Sequence, residues 1–329
     1  MKKNIWIAIG VLCLLAMALQ PSMIKAQPEE KPIIVCTTHV LGSIVNNFVG
    51  DTASVTILVQ PGICPAFYDI KPGDIYAVSK AKLIFYHGFE YKMWLKDMVA
   101  TSGNEAVIMV KIPGDWNTPD GAKRYIAWVG GNLSLYLGVD LTPKITSMIA
   151  SVDSTAQNLK RKAEEYDVSA VKVVCMAWQK PLVKWLGFDV VAEYGPPESL
   201  SASDIASITK TAREEGAMLV IDNLQSGVEF GANLASEIGA VHVVLTNFPG
   251  AIPKTESLVE MLEYNAKQLF DGVTMYKSTQ ALRSEIHTLK DHLTIFEVAT
   301  VVLAILLGVE TIVIVNIRKR AKEQGARNR

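Results

Sequence analysis

The chain has 329 residues, of which 50% are hydrophobic and 20% charged, with a formal net charge of −1 and a mean hydropathy of +0.23. Intrinsic disorder, which needs low hydrophobicity and high net charge, is excluded. Nothing in the charge balance points to nucleic acid, whose phosphates ask for an excess of Lys and Arg. The length suffices for one or two domains with cores of their own. Two segments at the chain ends account for the high hydropathy.

The first of these begins Met1-Lys2-Lys3 and is apolar from Ile5 to Leu19. A basic start, an apolar run and then small residues form a secretory signal pattern, with a cleavage point after Ala26; an uncleaved anchor is the alternative. Cys13 follows Leu12, where a lipoprotein signal wants a small residue, so no lipid anchor is expected. Beyond the signal (residues 1–26) only Cys36, Cys64 and Cys175 remain. An odd count in an exported protein leaves at least one free thiol and rules out a disulfide scaffold.

From Lys31 onward strand and helix patterns alternate. Strands are predicted at Ile33–Cys36, Val55–Val59, Leu83–Tyr86 and Ala106–Val110, and helices at Val40–Phe48, Asp74–Lys80 and Tyr91–Ala100. This rhythm is that of a parallel sheet covered by helices. Trp128-Val129-Gly130-Gly131-Asn132 reads as a helix break. Pro143–Tyr166, without internal Gly or Pro, then reads as one long helix. The rhythm restarts with strands at Val171–Cys175, Val190–Glu193, Met218–Asp222 and Val241–Leu245. Helices are expected at Pro181–Leu186, Ser201–Glu215 (capped by Ser201 or Ser203), Gly227–Ile238 and about Thr255–Phe270. The expected architecture is therefore α/β: two doubly wound parallel-sheet lobes (27–119 and 168–275) joined by a helical linker region (120–167). Ligands of open α/β sheets bind beyond the carboxyl ends of the strands, which places the site in the cleft between the lobes.

The second apolar segment, Leu293–Ile317, is long enough to cross the hydrocarbon core of a bilayer. Arg318-Lys319-Arg320-Ala321-Lys322 follows directly and marks a cytoplasmic tail (318–329), so the body lies outside the membrane. Glu310 falls inside the span, where a carboxylate is costly; facing another helix, staying protonated and reaching the near interface are its three solutions. Between lobe and span, residues 276–292 form a juxtamembrane stalk. Leu282, Ile286, Leu289, Leu293 and Phe296 follow the spacing of a helix seam there, which suits either a single amphipathic helix or a paired stalk.

Several motifs, in order, resemble the ABC-transporter solute-binding proteins that capture zinc or manganese, over about residues 31–273. The main one is Val59-Gln60-Pro61-Gly62-Ile63-Cys64-Pro65-Ala66-Phe67-Tyr68-Asp69-Ile70-Lys71-Pro72-Gly73-Asp74, similar to the family's Pro-Gly turn, Asp-Pro-His, Tyr-Glu, Pro and Asp. Leu83-Ile84-Phe85-Tyr86-His87-Gly88, Trp94-Leu95, Trp116-Asn117-Thr118-Pro119 and Tyr264-Asn265 match later landmarks. The resemblance implies a rigid two-lobe binder that hands a transition-metal ion, as transported ligand, to a membrane permease driven by a cytoplasmic ATPase, here tethered by its C-terminal helix. No nucleophile elbow, zincin helix, phosphate-binding loop or dinucleotide fingerprint is present, so no enzyme is expected.

The resemblance stops at the ligands. The family's three imidazoles and late carboxylate fall here on Ala66, Gly114, Met176 and Thr246, none a strong zinc ligand. Cys64, Cys175, Met176, His39 and His87, each in or near a strand end or its following loop, are the replacement candidates. Thiolate and thioether would suit a softer ion such as Cu(I). Cys175 reads equally as a small buried apolar residue, Met176 as a gap filler and His39 as a helix cap. Asp222 and Tyr68-Asp69 are candidates for an organic cation or polar solute, while His242 falls inside a strand. Two functions follow: a tethered solute-binding subunit with a softer or non-zinc ligand, or a tethered structural or sensory domain that kept the fold and lost metal binding.

Overall fold

The computed structural model describes residues 31–327, so the signal segment lies outside the described residues. Eight strands form two four-stranded sheets, both parallel throughout. The first contains β1 (Ile33–Cys36), β2 (Ser54–Ile57), β3 (Ala81–Tyr86) and β4 (Ile108–Lys111) in the order β2-β1-β3-β4. The second contains β5 (Lys172–Met176), β6 (Asp189–Tyr194), β7 (Leu219–Asn223) and β8 (Val241–Leu245) in the order β6-β5-β7-β8. Strands this short and apolar, with β1, β5 and β7 almost wholly buried, are what a sheet covered on both faces requires.

The first lobe carries α1 (His39–Val49), α2 (Pro72–Lys80) and α3 (Lys96–Ser102), the last opened by a π-helical turn at Tyr91–Leu95. The linker is two helices, α4 (Pro119–Leu137) and α5 (Thr142–Glu165). The second lobe carries α6 (Lys180–Leu186), α7 (Ala202–Glu215), α8 (Glu229–Ile238) and the start of α9 (Leu258–Arg327). Ser201 caps α7 as its sequence suggests, accepting from the Asp204 amide at 3.2 Å while Asp204 returns a bond to the Ser201 amide at 2.9 Å.

The expected break at Trp128–Asn132 does not occur. Gly130 lies inside α4, and a Cβ there would sit 2.5 Å from Ile145 Cγ1 and 2.8 Å from Phe48 Cζ. The glycine permits close approach of α4 to α5 and α1 and does not end the helix. One apolar core runs through both lobes, joining Val40, Leu41 and Ile44 of α1, Ile126 and Val129 of α4, Val152 and Leu159 of α5 and Leu262 and Leu269 of α9. A continuous core makes the linker a packed structural member.

The second finding concerns α9. The helix expected to end near Phe270 runs without interruption from Leu258 to Arg327, 70 residues in all. Its first turns are buried through Leu258, Met261, Leu262, Ala266, Leu269, Phe270 and Val273, and Tyr276 still packs against the core. From Ala281 to Ala321 every side chain is exposed. The most apolar window in this helix has a mean hydropathy of 2.7, long and apolar enough to cross a membrane.

Candidate functional site

In each sheet the strand order reverses between the lobe's first and third strands, at β1/β3 in one lobe and β5/β7 in the other. Such reversals open a crevice at the carboxyl ends, because successive crossovers leave on opposite sides. The residues just past β1 and β3 are Thr37, Thr38, His87 and Glu90; those past β5, β7 and β8 are Gln179, Asn223, Gln225, Thr246 and Asn247. All are buried, although none is apolar.

On the first lobe, Gly88 adopts φ +120°, a conformation that disfavours a Cβ, and so folds the chain back for Glu90 to cap the turn. The buried Glu90 carboxylate accepts from Thr37 Oγ1 at 2.5 Å, the His87 amide at 2.8 Å and the Gly88 amide at 2.9 Å. His87 is enclosed: Tyr125 OH lies 2.9 Å from Nδ1 and Thr38 Oγ1 2.7 Å from Nε2. Tyr125 OH is also 2.9 Å from the carbonyls of Ile112 and Gly114, to which it must donate. Nδ1 therefore carries the proton, and Nε2 accepts from Thr38. Burial lowers the His87 pKa from 6.5 to about 4, against an opposing pull from Glu90, so the ring is neutral at neutral pH.

The loop bearing Trp116 and Asn117 is pinned to α4. Thr118 Oγ1 accepts from the Gly121 amide at 3.1 Å, and a Cβ on Gly121 would meet the Asp115 carbonyl oxygen at 2.3 Å. The loop after β2 is held by Trp94, whose Nε1 donates to the Pro65 carbonyl at 3.0 Å and whose ring lies 4.6 Å from that of Tyr68.

The two lobes then meet through amides and indoles. Trp116 Nε1 donates to the Asn247 carbonyl at 2.6 Å, and Asn117 Nδ2 to the Trp178 carbonyl at 2.6 Å and Asn247 Oδ1 at 3.0 Å. Gln225 Nε2 donates to the Pro61 carbonyl and to Thr246 Oγ1, each at 2.9 Å, while its Oε1 accepts from the Asn247 amide at 3.1 Å. Asn265 of α9 holds the Thr246 backbone from both sides, accepting from its amide at 3.0 Å and donating to its carbonyl at 2.7 Å. Trp116 bridges His87 and Phe248 at centroid distances of 4.4 and 5.9 Å. Two buried oxygens, Asn117 Oδ1 in this junction and Gln179 Oε1 after β5, find no hydrogen-bond donor among the described residues.

The five candidate ligands are not brought together. Cys175 and Met176 are consecutive in β5, so their side chains leave on opposite faces of the sheet. Cys175 joins the central core while Met176 joins the core under α7 and α8, and Met176 Sδ already accepts from the Trp178 amide at 3.3 Å. Burial raises the Cys175 thiol well above its usual range, which disfavours a thiolate. His87 spends one nitrogen on Thr38 of its own lobe and the other on Tyr125 of the linker helix α4. His39 is half-buried at the start of α1, where Gly250 of the other lobe abuts it and burial lowers its pKa. Cys64 is half-buried in the loop after β2. Among the described residues, no three of His, Cys, Asp and Glu are grouped so as to hold a metal ion.

At the inherited positions Ala66 and Gly114 offer no donor, and the Thr246 hydroxyl is spent on Gln225 and Phe248. Asp222, buried in β7, turns its carboxylate toward Gly231 of α8 and bonds Tyr194 OH and, at 2.7 Å, His242 Nε2. Tyr68 OH donates to Asp74 at 2.5 Å. The amides that build the junction (Asn117, Gln225 and Asn247) were missed as site residues because isolated amides form no spacing motif; their positions in the loops after predicted strands were the available signal.

The fold is that of known metal-binding proteins. The periplasmic zinc-binding protein TroA of Treponema pallidum superimposes with a TM-score of 0.64, covering 74% of this chain and 99% of that one at 17% identity. The Mn-bound periplasmic metal-binding protein of Candidatus Liberibacter asiaticus gives 0.63, covering 74% and 100% at 16% identity. In sequence, a candidate metal-binding protein of Thermotoga maritima is 26% identical over 257 residues, 70% of this chain and 89% of its own length. The manganese-binding lipoprotein MntA of Halalkalibacterium halodurans is 32% identical over a 77-residue stretch, 23% of this chain and 26% of that protein. Residues 34–272 match the family model for zinc-uptake complex component A, periplasmic, and the chain belongs to this ZnuA family.

Proposed function

We propose that the protein is the extracytoplasmic, membrane-tethered solute-binding subunit of an ABC importer, working beside a permease and its cytoplasmic ATPase. Family membership supports a transport role, the apolar stretch of α9 supports the tether, and Arg318, Lys319 and Arg320 support a cytoplasmic C-terminus. Relatives are described as zinc- or manganese-binding; the donor set here argues for a different ligand.

One observation carries that step. Asn117 Oδ1 and Gln179 Oε1, one from each lobe, are buried without a donor. A buried unpaired acceptor costs about 1–3 kcal/mol, which a bound donor would recover. Neutral amide oxygens suit an ammonium-type group or a hard cation and are poor partners for zinc or Cu(I). Thermal unfolding of the full chain in detergent, with zinc, manganese, calcium and a series of primary amines, tests this. A ligand present at about 100 times its Kd stabilises by about 2.7 kcal/mol. An amine or calcium is expected to raise the melting temperature, with the effect lost in Asn117→Leu and Gln179→Leu. Submicromolar zinc binding would overturn the ligand class. No shift with any solute would overturn the binding function and leave the junction as a purely structural seam, the role of a tethered structural or sensory domain.

A further inference from the structure

The unbroken α9 carries one apolar stripe that the body leaves uncovered. Met275, Leu282, Ile286, Leu289, Leu293 and Phe296 are all between 44% and 71% exposed. With Leu282 and Leu289 as d positions and Ile286 and Leu293 as a positions, the heptad extends through the span to Leu303, Leu307, Ile314 and Ile317, Thr300 also falling on the seam. From Leu282 to Ile317 this register runs for five heptads; up to Phe296 it stands out against a charged face, which is the signature of a supercoiling seam, and the span, apolar all round, continues it. Glu310 falls on a d position of the same seam.

We infer that α9 pairs in parallel with α9 of a second copy of this chain, along a single seam from the stalk to the inner end of the span. Two observations choose this occupant. Both copies would enter the membrane in the same direction, and in a parallel pair each g residue faces the e residue five places on in its partner. Glu285 is a g residue and Lys290 the matching e residue; His292 and Glu297 stand in the same relation. Each opposes its complement in a second identical helix, a match that needs no other protein. The second observation is Glu310. Lipid offers it no partner, whereas on the seam it meets its own twin across the axis, and the two carboxyl groups share a hydrogen bond. The stalk alone, at just over two heptads, is short for a stable coiled coil; its continuity with the span supplies the missing length.

The test is disulfide crosslinking of the full chain in native membranes, in a Cys64→Ser background that removes the half-buried thiol. Leu282→Cys and Leu289→Cys are expected to give a product of twice the chain mass on mild oxidation, and Ser284→Cys and Asp291→Cys, on the outer face, to give none. In the Leu289→Cys background, Glu285→Lys should weaken pairing about fivefold, the order expected when two exposed ion pairs become like-charge contacts. Adding Lys290→Glu should restore it. Glu310→Ala should lower the dimer yield at Leu282→Cys. Equal crosslinking on both faces, a crosslink to a protein of different mass, or a Glu285→Lys loss without rescue would overturn the self-pairing. An unchanged yield in Glu310→Ala would overturn its extension into the span.

Discussion

Acidification should loosen the first lobe through one ring. His87 is fully enclosed by Thr38, Tyr125, Trp116 and Phe89, with the Glu90 carboxylate bonded to its backbone amide. Its pKa falls from 6.5 to about 4, chiefly through burial, with Glu90 opposing. Protons bind the unfolded chain more readily than the folded one across that interval, so stability rises with pH there. The contribution is complete above about 6.5 and is lost as pH falls toward about 4. At about 1.4 kcal/mol per unit the full swing is about 3 kcal/mol, of which roughly 2.5 is gone by about pH 4.5. The assay is urea unfolding of the two-lobe part, residues 27–277, at pH 7.5 and 4.5, for the native sequence and for His87→Gln. The variant is less stable at both values, but its loss between them should be smaller by about 2–3 kcal/mol. Parallel losses in the two proteins would refute a buried neutral imidazole and the hydrogen-bond assignment built on it.

Two further outcomes are expected. Asn265→Leu strips both bonds from the Thr246 backbone and leaves a buried amide and carbonyl unpaired, so the midpoint of chemical unfolding should fall by the equivalent of about 2–4 kcal/mol. Residues 27–277 should remain folded and monomeric by circular dichroism and gel filtration, whereas a form ending at Gly272 should be less stable, because Val273 is buried and Tyr276 packs against the core.

The periodicity of short apolar strands and capped helices made the elements of both lobes readable in the sequence, and the structure moves their ends by at most two residues, the last helix apart. Where the reading failed, the cause was an interaction between distant segments. Gly130-Gly131 looks like a break, but the space Gly130 leaves is filled by Ile145 and Phe48, which no local pattern announces. The end of α9 was placed too early for a related reason: after the lobe the pattern changes from a buried face to a solvated one and then to an all-apolar stretch, while the backbone continues as helix. The site was legible mainly as an absence. Ala66, Gly114, Met176 and Thr246 could be aligned to lost ligands, but a strand's alternation already set Cys175 and Met176 on opposite faces and so dissolved the soft-metal pair. Amides such as Asn117 and Gln225 become meaningful only when the fold brings each against a carbonyl of the other lobe.

Asn265, which grips the end of β8, and the lipid-length stretch after Leu293 belong to one helix with no loop between them. A binder on a flexible leash samples every tilt and every height its linker allows, and its encounter with a membrane partner is a three-dimensional search. On α9 the stretch from Lys277 to Leu293 is a mast of about 24 Å at 1.5 Å per residue. In the proposed tethered state the span itself would set height and tilt, leaving only drift and rotation in the plane of the bilayer. A docking partner of the tethered form would have to present its receiving surface at that one elevation, so the length of the mast, more than the strength of the contact, would decide which neighbours the two lobes can reach.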